Sequence, residues 1–283
     1  MAEPLSPCVL TITCPDQPGI VAAVADLIVA LGINIVHADQ HTDRATSTFL
    51  QRLELDGIDR WDPLESPMAE LADRWAMRYA LHPPRQPARL VVLTSAQLHC
   101  AADLVMRVGL GELPATIAEL VSDRPEAEAL AARHDLPCTL LPAADDPDGH
   151  HEELARHLEA LQPDLVVLAR YMRVLPEPIV TRWWTRMVNI HHSFLPAFVG
   201  ARPYHRAHDR GVKLIGATAH YVTSELDAGP IIAQDVARVS HRDEVADLVR
   251  VGRDIERRVL ADAVRLLLEH RVLVFGNRTV VFD

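Results

Sequence analysis

The spacing of apolar residues changes once along the chain and divides the sequence into two halves. In the first half, the pattern predicts elements in the order strand, helix, strand, strand, helix, strand. The predicted strands are 8–14, 33–42, 47–57 and 77–82, and the predicted helices lie within 15–32 and 67–76. A small sheet with its helices on one face predicts a ferredoxin-like α+β domain.

The first predicted helix has recognisable start and stop signals. Asp16 can cap the helix, Pro18 suits a first helical turn, and Gly32 ends the apolar periodicity. We therefore expect a helix over most of 15–32, directly after the first strand.

A proline-rich segment, PPRQPA at 83–88, follows the first half and lacks apolar periodicity. Prolines stiffen such a linker, so we place the domain boundary there and predict domains at 1–84 and 85–283. Beyond the linker, strands and helices alternate from RLVVLTS at 89–95 to MVNIHHS at 187–193. This alternation predicts a Rossmann-like, mostly parallel α/β sheet.

The end of the chain departs from this alternation. Two further strands are predicted at 214–222 and 229–239, followed by a long helix from Asp243 to about His270. The last segment, RVLVFGNRTVVF, reads as a hairpin that turns at Gly276 and Asn277.

Composition narrows the class of protein. The 28 Lys and Arg are outnumbered by 39 Asp and Glu, for a formal net charge of -11. Because phosphate contacts need clustered cations, nucleic acid and anionic membranes are disfavoured as partners. The start MAEPLSP lacks signal-peptide features, and no apolar run reaches the roughly 18 residues of a membrane span. Together with four scattered cysteines, this predicts a cytoplasmic protein with reduced thiols.

Polar residues interrupt the apolar pattern in the stretch VNIHHSFLP at 188–196. Alternate side chains of a strand share a face, so Asn189 and His191 point the same way. An amide can donate to a developing oxyanion, and an imidazole can exchange a proton near neutral pH. The strand end is also where ligands collect in this fold. The pair could equally be satisfied polar residues at a strand terminus.

A second polar feature is the loop TSELDAGP at 223–230, between two apolar strands. Its Asp227 could orient a histidine ring and stabilise an imidazolium, although an isolated turn of this kind is more often plain surface. His220 lies on the preceding strand, and we favour a supporting partner of the site over a core histidine. No HExxH spacing occurs, so no metal site is predicted.

The strings NIHHSFLP and DAGPII resemble the signature of the formyltransferases that use formyltetrahydrofolate. CPDQPGIVAAV, NIVHADQH, VVLARYM, KLIGATAHYV and FGNRTVVF extend the resemblance over the whole chain to the formyltetrahydrofolate deformylases. The resemblance implies that Asn189, His191 and Asp227 are catalytic. It also implies a folate pocket formed by two segments: Met172, Arg173, Val174, Leu175 and Thr223, Ser224, Glu225.

The first half resembles an ACT domain. Such modules commonly pair with copies of themselves and bind amino acids, which implies a homo-oligomer and an amino-acid effector. The implied effector contacts are Asp16, Gly19, Ile20 and Val21. Oligomerisation alone is an equally open role for this half.

The acceptor of the formyl group must be argued separately. The resembling glycinamide ribonucleotide transformylase holds a phosphate on a glycine-rich turn after its first strand, whereas the turn TSAQLHCAADL at 94–104 has no glycine. Side chains at Gln97 and His99 should crowd a phosphate, which leaves water as the nucleophile. We therefore predict hydrolysis of 10-formyltetrahydrofolate to tetrahydrofolate and formate, without a cofactor, with the formate supplying purine synthesis.

Two other functions stay open at this stage. One is formyl transfer to a small amine, and the other is a catalytically silent folate binder. One departure from the family pattern also stands out: Ser122, Asp123 and Arg124 replace the usual Ser-Asn-His. Arg124 could pair with the acidic tail of the folate.

Overall fold

The computed structural model describes residues 8–56, 62–83, 87–142, 147–196 and 203–282. The chain splits into two compact units, one formed by Met1–Gln86 with Glu269–Asp283 and the other by Pro87–Leu268. This division differs from the predicted domains, because the C-terminal segment groups with the first unit. Residues 84–86 of the predicted linker at 83–88 lie outside the described residues.

The first unit contains one four-stranded antiparallel sheet. Its elements are β1 (Cys8–Pro15), α1 (Ile20–Ala30), β2 (Asn34–Asp43), β3 (Thr48–Asp56), α2 (Asp62–Trp75) and β4 (Arg78–His82). The strand order is β2-β3-β1-β4. The helices pack apolar residues, among them Val24, Ile28 and Met68, into one core with β1 and β3. The predicted βαββαβ order and ferredoxin-like fold are confirmed.

The starts of both helices differ from the sequence-based expectation. Helix α1 begins at Ile20 and is preceded by Gly19 with φ of 100°, and no side chain forms a cap hydrogen bond. The expected cap by Asp16 is therefore wrong: Asp16 is exposed, and its amide donates to the Ser47 carbonyl at 2.8 Å. The left-handed conformation that glycine allows starts this helix instead.

Helix α2 begins before the predicted residue 67, because buried Leu64 lies one turn before Met68 on the same face. Pro67 lies inside the helix rather than at its first turn.

The C-terminal hairpin is formed by β12 (Val272–Phe275) and β13 (Arg278–Val281), with Gly276 at φ of 58° in the turn, as predicted. Its apolar side chains form a small core with Leu50 of β3. Buried Arg52, also on β3, donates to the carbonyls of Glu269 at 2.9 Å and His270 at 3.1 Å. These contacts explain why the hairpin belongs to the first unit.

The second unit contains a seven-stranded sheet in the order β11-β10-β9-β8-β5-β6-β7. Its strands are β5 (Ala88–Thr94), β6 (Ala115–Ser122), β7 (Cys138–Leu140), β8 (Leu165–Ala169), β9 (Met187–His191), β10 (Leu214–Tyr221) and β11 (Ile231–Arg238). β5 to β9 run parallel, whereas β10 is antiparallel to both neighbours. The predicted mostly parallel, Rossmann-like sheet is confirmed.

The helices of this unit are α3 (His99–Gly109), α4 (Glu126–Arg133), α5 (Pro147–Leu161), α6 (Glu177–Arg182), α7 (Pro203–Arg210) and α8 (Val245–Leu268). Sequence periodicity did not predict α6 and α7, which are too short to show it. Within the described ranges, no helix is both long enough and apolar enough to cross a bilayer. Because β5, β6, β8 and β9 run parallel, their carboxyl ends share one edge of the sheet, where polar residues collect.

Candidate active site

The side chains of the candidate site are positioned first by β-sheet register. Asn189 on β9 lies directly opposite His220 on β10, and His191 lies opposite Thr218. The two-residue period of β9 places Asn189 and His191 on one face, as the sequence predicts. Their side chains both line a cavity of about 260 Å³ at the carboxyl edge of the sheet.

The loop between β10 and β11 brings Asp227 to this pair. Its Oδ2 lies 3.1 Å from Nδ1 of His191, and both side chains are buried. Nε2 of His191 is also buried and has no hydrogen-bond partner among the described residues. One ring nitrogen is therefore held by a carboxylate, while the other is left without a described partner on a side chain that lines the cavity.

Backbone geometry explains why the loop can place Asp227 there. Asp227 itself takes the left-handed conformation, with φ of 55°. Two residues on, Gly229 passes so close to β10 that a Cβ would lie 1.8 Å from the Tyr221 carbonyl oxygen. The amide of Tyr221 in turn donates to the Pro230 carbonyl at 2.9 Å. Gly229 thus permits the close contact that fixes the loop.

His220 connects the amide to the carboxylate. Its Nδ1 lies 2.8 Å from the Tyr221 carbonyl, which can only accept, so Nδ1 carries the proton. Nε2 then accepts from the Asn189 amide at 3.2 Å and lies 3.6 Å from Oδ1 of Asp227. This contact assigns the orientation of the Asn189 amide, whose second N–H remains for the cavity. His220 supports the site from the second strand.

The electrostatics of the site favour an ionised Asp227. Burial raises the pKa of this carboxyl group, but the hydrogen bond from His191 and the nearby ring of His220 outweigh burial and lower the pKa below its ordinary value. The adjacent His192 behaves differently: burial, then the charges of Arg170 and His191, lower its pKa to about 3. His192 is therefore neutral at physiological pH, and the carboxylate is paired with the ring of His191.

The cavity includes most of the predicted folate contacts. Met172, Arg173, Val174 and Leu175 all line it, and so does Thr223. Ser224 and Glu225 are not among the described residues that line it, because the loop turns them outward. Leu226, in the implied pocket loop Thr223 to Asp227, also lines the cavity. The lining residues that sequence reasoning missed are Leu168, Arg170, Tyr171, Ile190, His192 and Val222. Arg170 and Tyr171 could have been predicted as lining residues, because they directly follow a buried strand.

The segment Ser122 to Arg124, which departs from the family pattern, lies beside the residues that line the cavity. Ser95 donates to Oδ1 of Asp123 at 2.7 Å, and Nε of Arg173 donates to Oδ2 at 2.8 Å. The Met172 amide donates to the Ser95 hydroxyl at 3.3 Å. Asp123 therefore holds the segment that lines the cavity, whereas Arg124 is exposed and is not among the described lining residues.

In the first unit, the residues implied as effector contacts differ in exposure. Asp16, Gly19 and Val21 are exposed around the start of α1, whereas Ile20 is buried in the core. The side chain of Ile20 is therefore unavailable to a ligand.

The sheet, the cavity and the Asn-His-Asp arrangement define a formyltransferase-type α/β enzyme. Residues 88–264 match the formyl transferase family, and residues 9–57 match the ACT domain. A formyltetrahydrofolate deformylase from Synechocystis is 50% identical over 278 residues, spanning 96% of this chain and 97% of the relative. The chain belongs to the formyltetrahydrofolate deformylase family.

Solved structures agree with this assignment. The crystal structure of a formyltetrahydrofolate deformylase from Pseudomonas syringae pv. tomato has a TM-score of 0.96 and 43% identity, covering 100% of this chain and 96% of that one. A glycinamide ribonucleotide transformylase from Symbiobacterium toebii has a TM-score of 0.67 and 34% identity, covering 70% of this chain and 95% of that one. The similarity to a transformylase therefore extends over only part of this chain.

Proposed function

We propose that the chain hydrolyses 10-formyltetrahydrofolate to tetrahydrofolate and formate, and that Asn189, His191 and Asp227 perform the chemistry. The observation that carries these roles is the environment of His191. Its Nδ1 contacts the Asp227 carboxylate at 3.1 Å, its Nε2 has no partner among the described residues, and its side chain lines the cavity together with Asn189. This is the arrangement that a general base needs.

The folate would enter past an apolar rim. Met172, Val174 and Leu226 all line the cavity, and each leaves more than half of its side-chain surface exposed. Apolar groups at the mouth of a pocket suit flat aromatic rings, such as those of the folate. The formyl group would then lie deeper, within reach of Asn189 and His191.

The reaction follows from these positions. A water oxygen attacks the formyl carbon while His191 Nε2 takes a proton from the water, and the free N–H of Asn189 donates to the oxyanion. Asp227 stabilises the imidazolium through Nδ1–H. As the carbon–nitrogen bond breaks, His191 returns the proton to the folate nitrogen, and formate and tetrahydrofolate leave.

Hydrolysis is tested by formate release from 10-formyltetrahydrofolate with no amine present. We expect steady turnover with equal amounts of formate and tetrahydrofolate. A formyltransferase acting on a small amine would release almost no formate, and with the amine added it would yield the formylated amine and tetrahydrofolate. A silent folate binder would show binding without turnover. Either result would contradict the proposed function.

We also propose that the ACT unit assembles copies of the chain into a homo-oligomer and binds an amino acid near the exposed start of α1. We further propose that the protein works in the cytoplasm without a cofactor and that its formate supplies purine synthesis. Asp16 and Val21 supply exposed side chains beside the left-handed Gly19. A thermal-shift screen of amino acids on the full chain tests the effector. No shift at millimolar concentration would leave oligomerisation as the function of this unit.

A further inference from the structure

A second group of buried polar side chains, outside the Asn-His-Asp arrangement, is centred on Glu256 of α8. The Glu256 side chain is 1% exposed and contacts three partners from three other segments. Tyr204 of α7 donates to Oε1 at 2.5 Å, and His99, the first residue of α3, donates to Oε2 at 2.8 Å. Nε of Arg170 lies 3.4 Å from Oε2, as an ion pair without hydrogen-bond geometry.

The carboxylate of Glu256 is ionised in this setting. Burial raises its pKa, but the His99 hydrogen bond, the Arg170 charge and the Tyr204 hydroxyl together lower the pKa below its ordinary value. A buried carboxylate is retained only when such partners compensate for its lost hydration. The Glu256 carboxylate is thus a fixed negative charge inside the second unit, paired with Arg170.

The fold leaves space for this arrangement at one glycine. Gly252 lies one turn before Glu256 on α8, and a Cβ there would lie 2.1 Å from the Tyr204 hydroxyl oxygen. Any larger residue would displace the Tyr204 ring from the helix. Gly252 therefore allows Tyr204 to reach the carboxylate.

The Glu256 group adjoins the active-site cavity through Arg170. The Arg170 side chain lines that cavity, and its NH2 donates to the Gln97 side chain at 3.2 Å. His192, which also lines the cavity, packs edge-to-face against the rings of both Tyr204 and His191. The carboxylate and the catalytic imidazole are therefore separated by one layer of side chains.

Metal binding is an alternative explanation for part of this group, since the ligand atoms of His99, Cys100 and Glu256 lie within 4.8 Å of one another. The Arg170 guanidinium beside Oε2 would repel a cation there. Burial, followed by the charge of Glu256, also raises the pKa of the Cys100 thiol, which keeps it protonated and a poor ligand. The positive charge of Arg170 therefore disfavours a cation at this position and favours an anion, and the Glu256 carboxylate is that anion.

The location gives this internal anion a function. In doubly wound sheets, anionic ligands bind at the carboxyl edge, where the loop after a strand leads into a helix N-terminus. His99 and Gln97 occupy that position after β5, and both are joined to the Glu256–Arg170 pair. We propose that Glu256 occupies the acceptor side of the active site as a built-in anion. It excludes phosphorylated amine acceptors and so reserves the formyl group for water.

This proposal rests on the proposed hydrolysis, but it is tested by measurements that do not need turnover. Glu256→Ala removes the anion and opens space beside Arg170 and His99, while Glu256→Gln removes the charge at nearly constant volume. We expect inorganic phosphate to raise the unfolding temperature of Glu256→Ala, and less strongly that of Glu256→Gln. Wild type and the exposed control Asp254→Asn should show no such shift at equal ionic strength set with chloride.

Inhibition of formate release gives the second measurement. Inorganic phosphate and phosphoethanolamine, a phosphorylated primary amine, should inhibit Glu256→Ala at least tenfold more strongly than they inhibit wild type. Competitive inhibition of the wild-type enzyme at low millimolar concentration would overturn the proposal, even if Glu256→Ala fails to fold. The proposal is also overturned if neither Glu256 variant is stabilised or inhibited by phosphate more strongly than the wild-type enzyme. Failure of wild type to release formate would instead contradict the proposed function.

Discussion

Asp227→Asn is the substitution that most directly tests the assigned roles. The amide has nearly the shape of the carboxylate, so the loop held by Gly229 should stay in place. The charge, however, is lost from a position 3.1 Å from Nδ1 of His191. An amide can also present N–H to Nδ1, which would favour the wrong tautomer of the ring.

The size of the effect follows from Coulomb's law. Opposite unit charges 3.1 Å apart attract by about 5 kcal/mol at an effective dielectric constant of about 20. This attraction is made only when His191 carries the proton, so it stabilises the transition state rather than the resting enzyme. Since about 1.4 kcal/mol corresponds to a tenfold change in rate, turnover should fall roughly 10³–10⁴-fold.

The assay is formate release without an acceptor, with kcat and KM determined separately. We expect the loss in kcat, with little change in KM, because Asp227 contacts the catalytic ring rather than the apolar rim. Asp209→Asn, an exposed carboxylate on α7, serves as the matched control and should retain wild-type turnover. Wild-type kcat in a folded Asp227→Asn enzyme would refute the assigned role.

Three further predictions concern Asn189, Gly229 and His82. Asn189→Ala removes an oxyanion donor and should lower kcat roughly 10²–10³-fold in the formate assay, whereas a loss below tenfold would exclude that role. Gly229→Ala brings a methyl group against the Tyr221 carbonyl, so it should lower both the turnover and the free energy of unfolding, the latter by about 1–3 kcal/mol. Denaturant unfolding measures the loss of stability, and an unchanged unfolding midpoint would show that the loop can shift. The pKa of His82, a partly buried side chain, is lowered to about 4 by burial and then by the charge of Arg52, so protonation destabilises the folded state relative to the unfolded chain as the pH falls below about 6.5. About 1–2 kcal/mol of stability should be lost as the pH falls from 7 to 5, and His82→Gln should flatten this slope in thermal unfolding.

Individual residues show which features of the structure could be predicted from the sequence and which could not. The shared face of Asn189 and His191 was predictable because strand side chains alternate with a period of two. The start of helix α1 was not predictable in this way, because Gly19 in the left-handed conformation precedes the helix and no side chain caps it. Likewise, Ser224 and Glu225 lie close to Asp227 in sequence but are exposed and do not line the cavity, since neighbours in a loop need not share a direction.

The sequence by itself determined the order of the strands and the longer helices, the two fold classes and the polar residues at the end of β9, because these depend on local periodicity and turn chemistry. Only the tertiary structure decided which distant side chains meet. Asp227 reaches His191 because Gly229 tolerates contact with β10, and Glu256 meets Arg170, His99 and Tyr204 because four separate segments converge at one edge of the sheet. Such contacts depend on packing across the fold, which has no period along the chain.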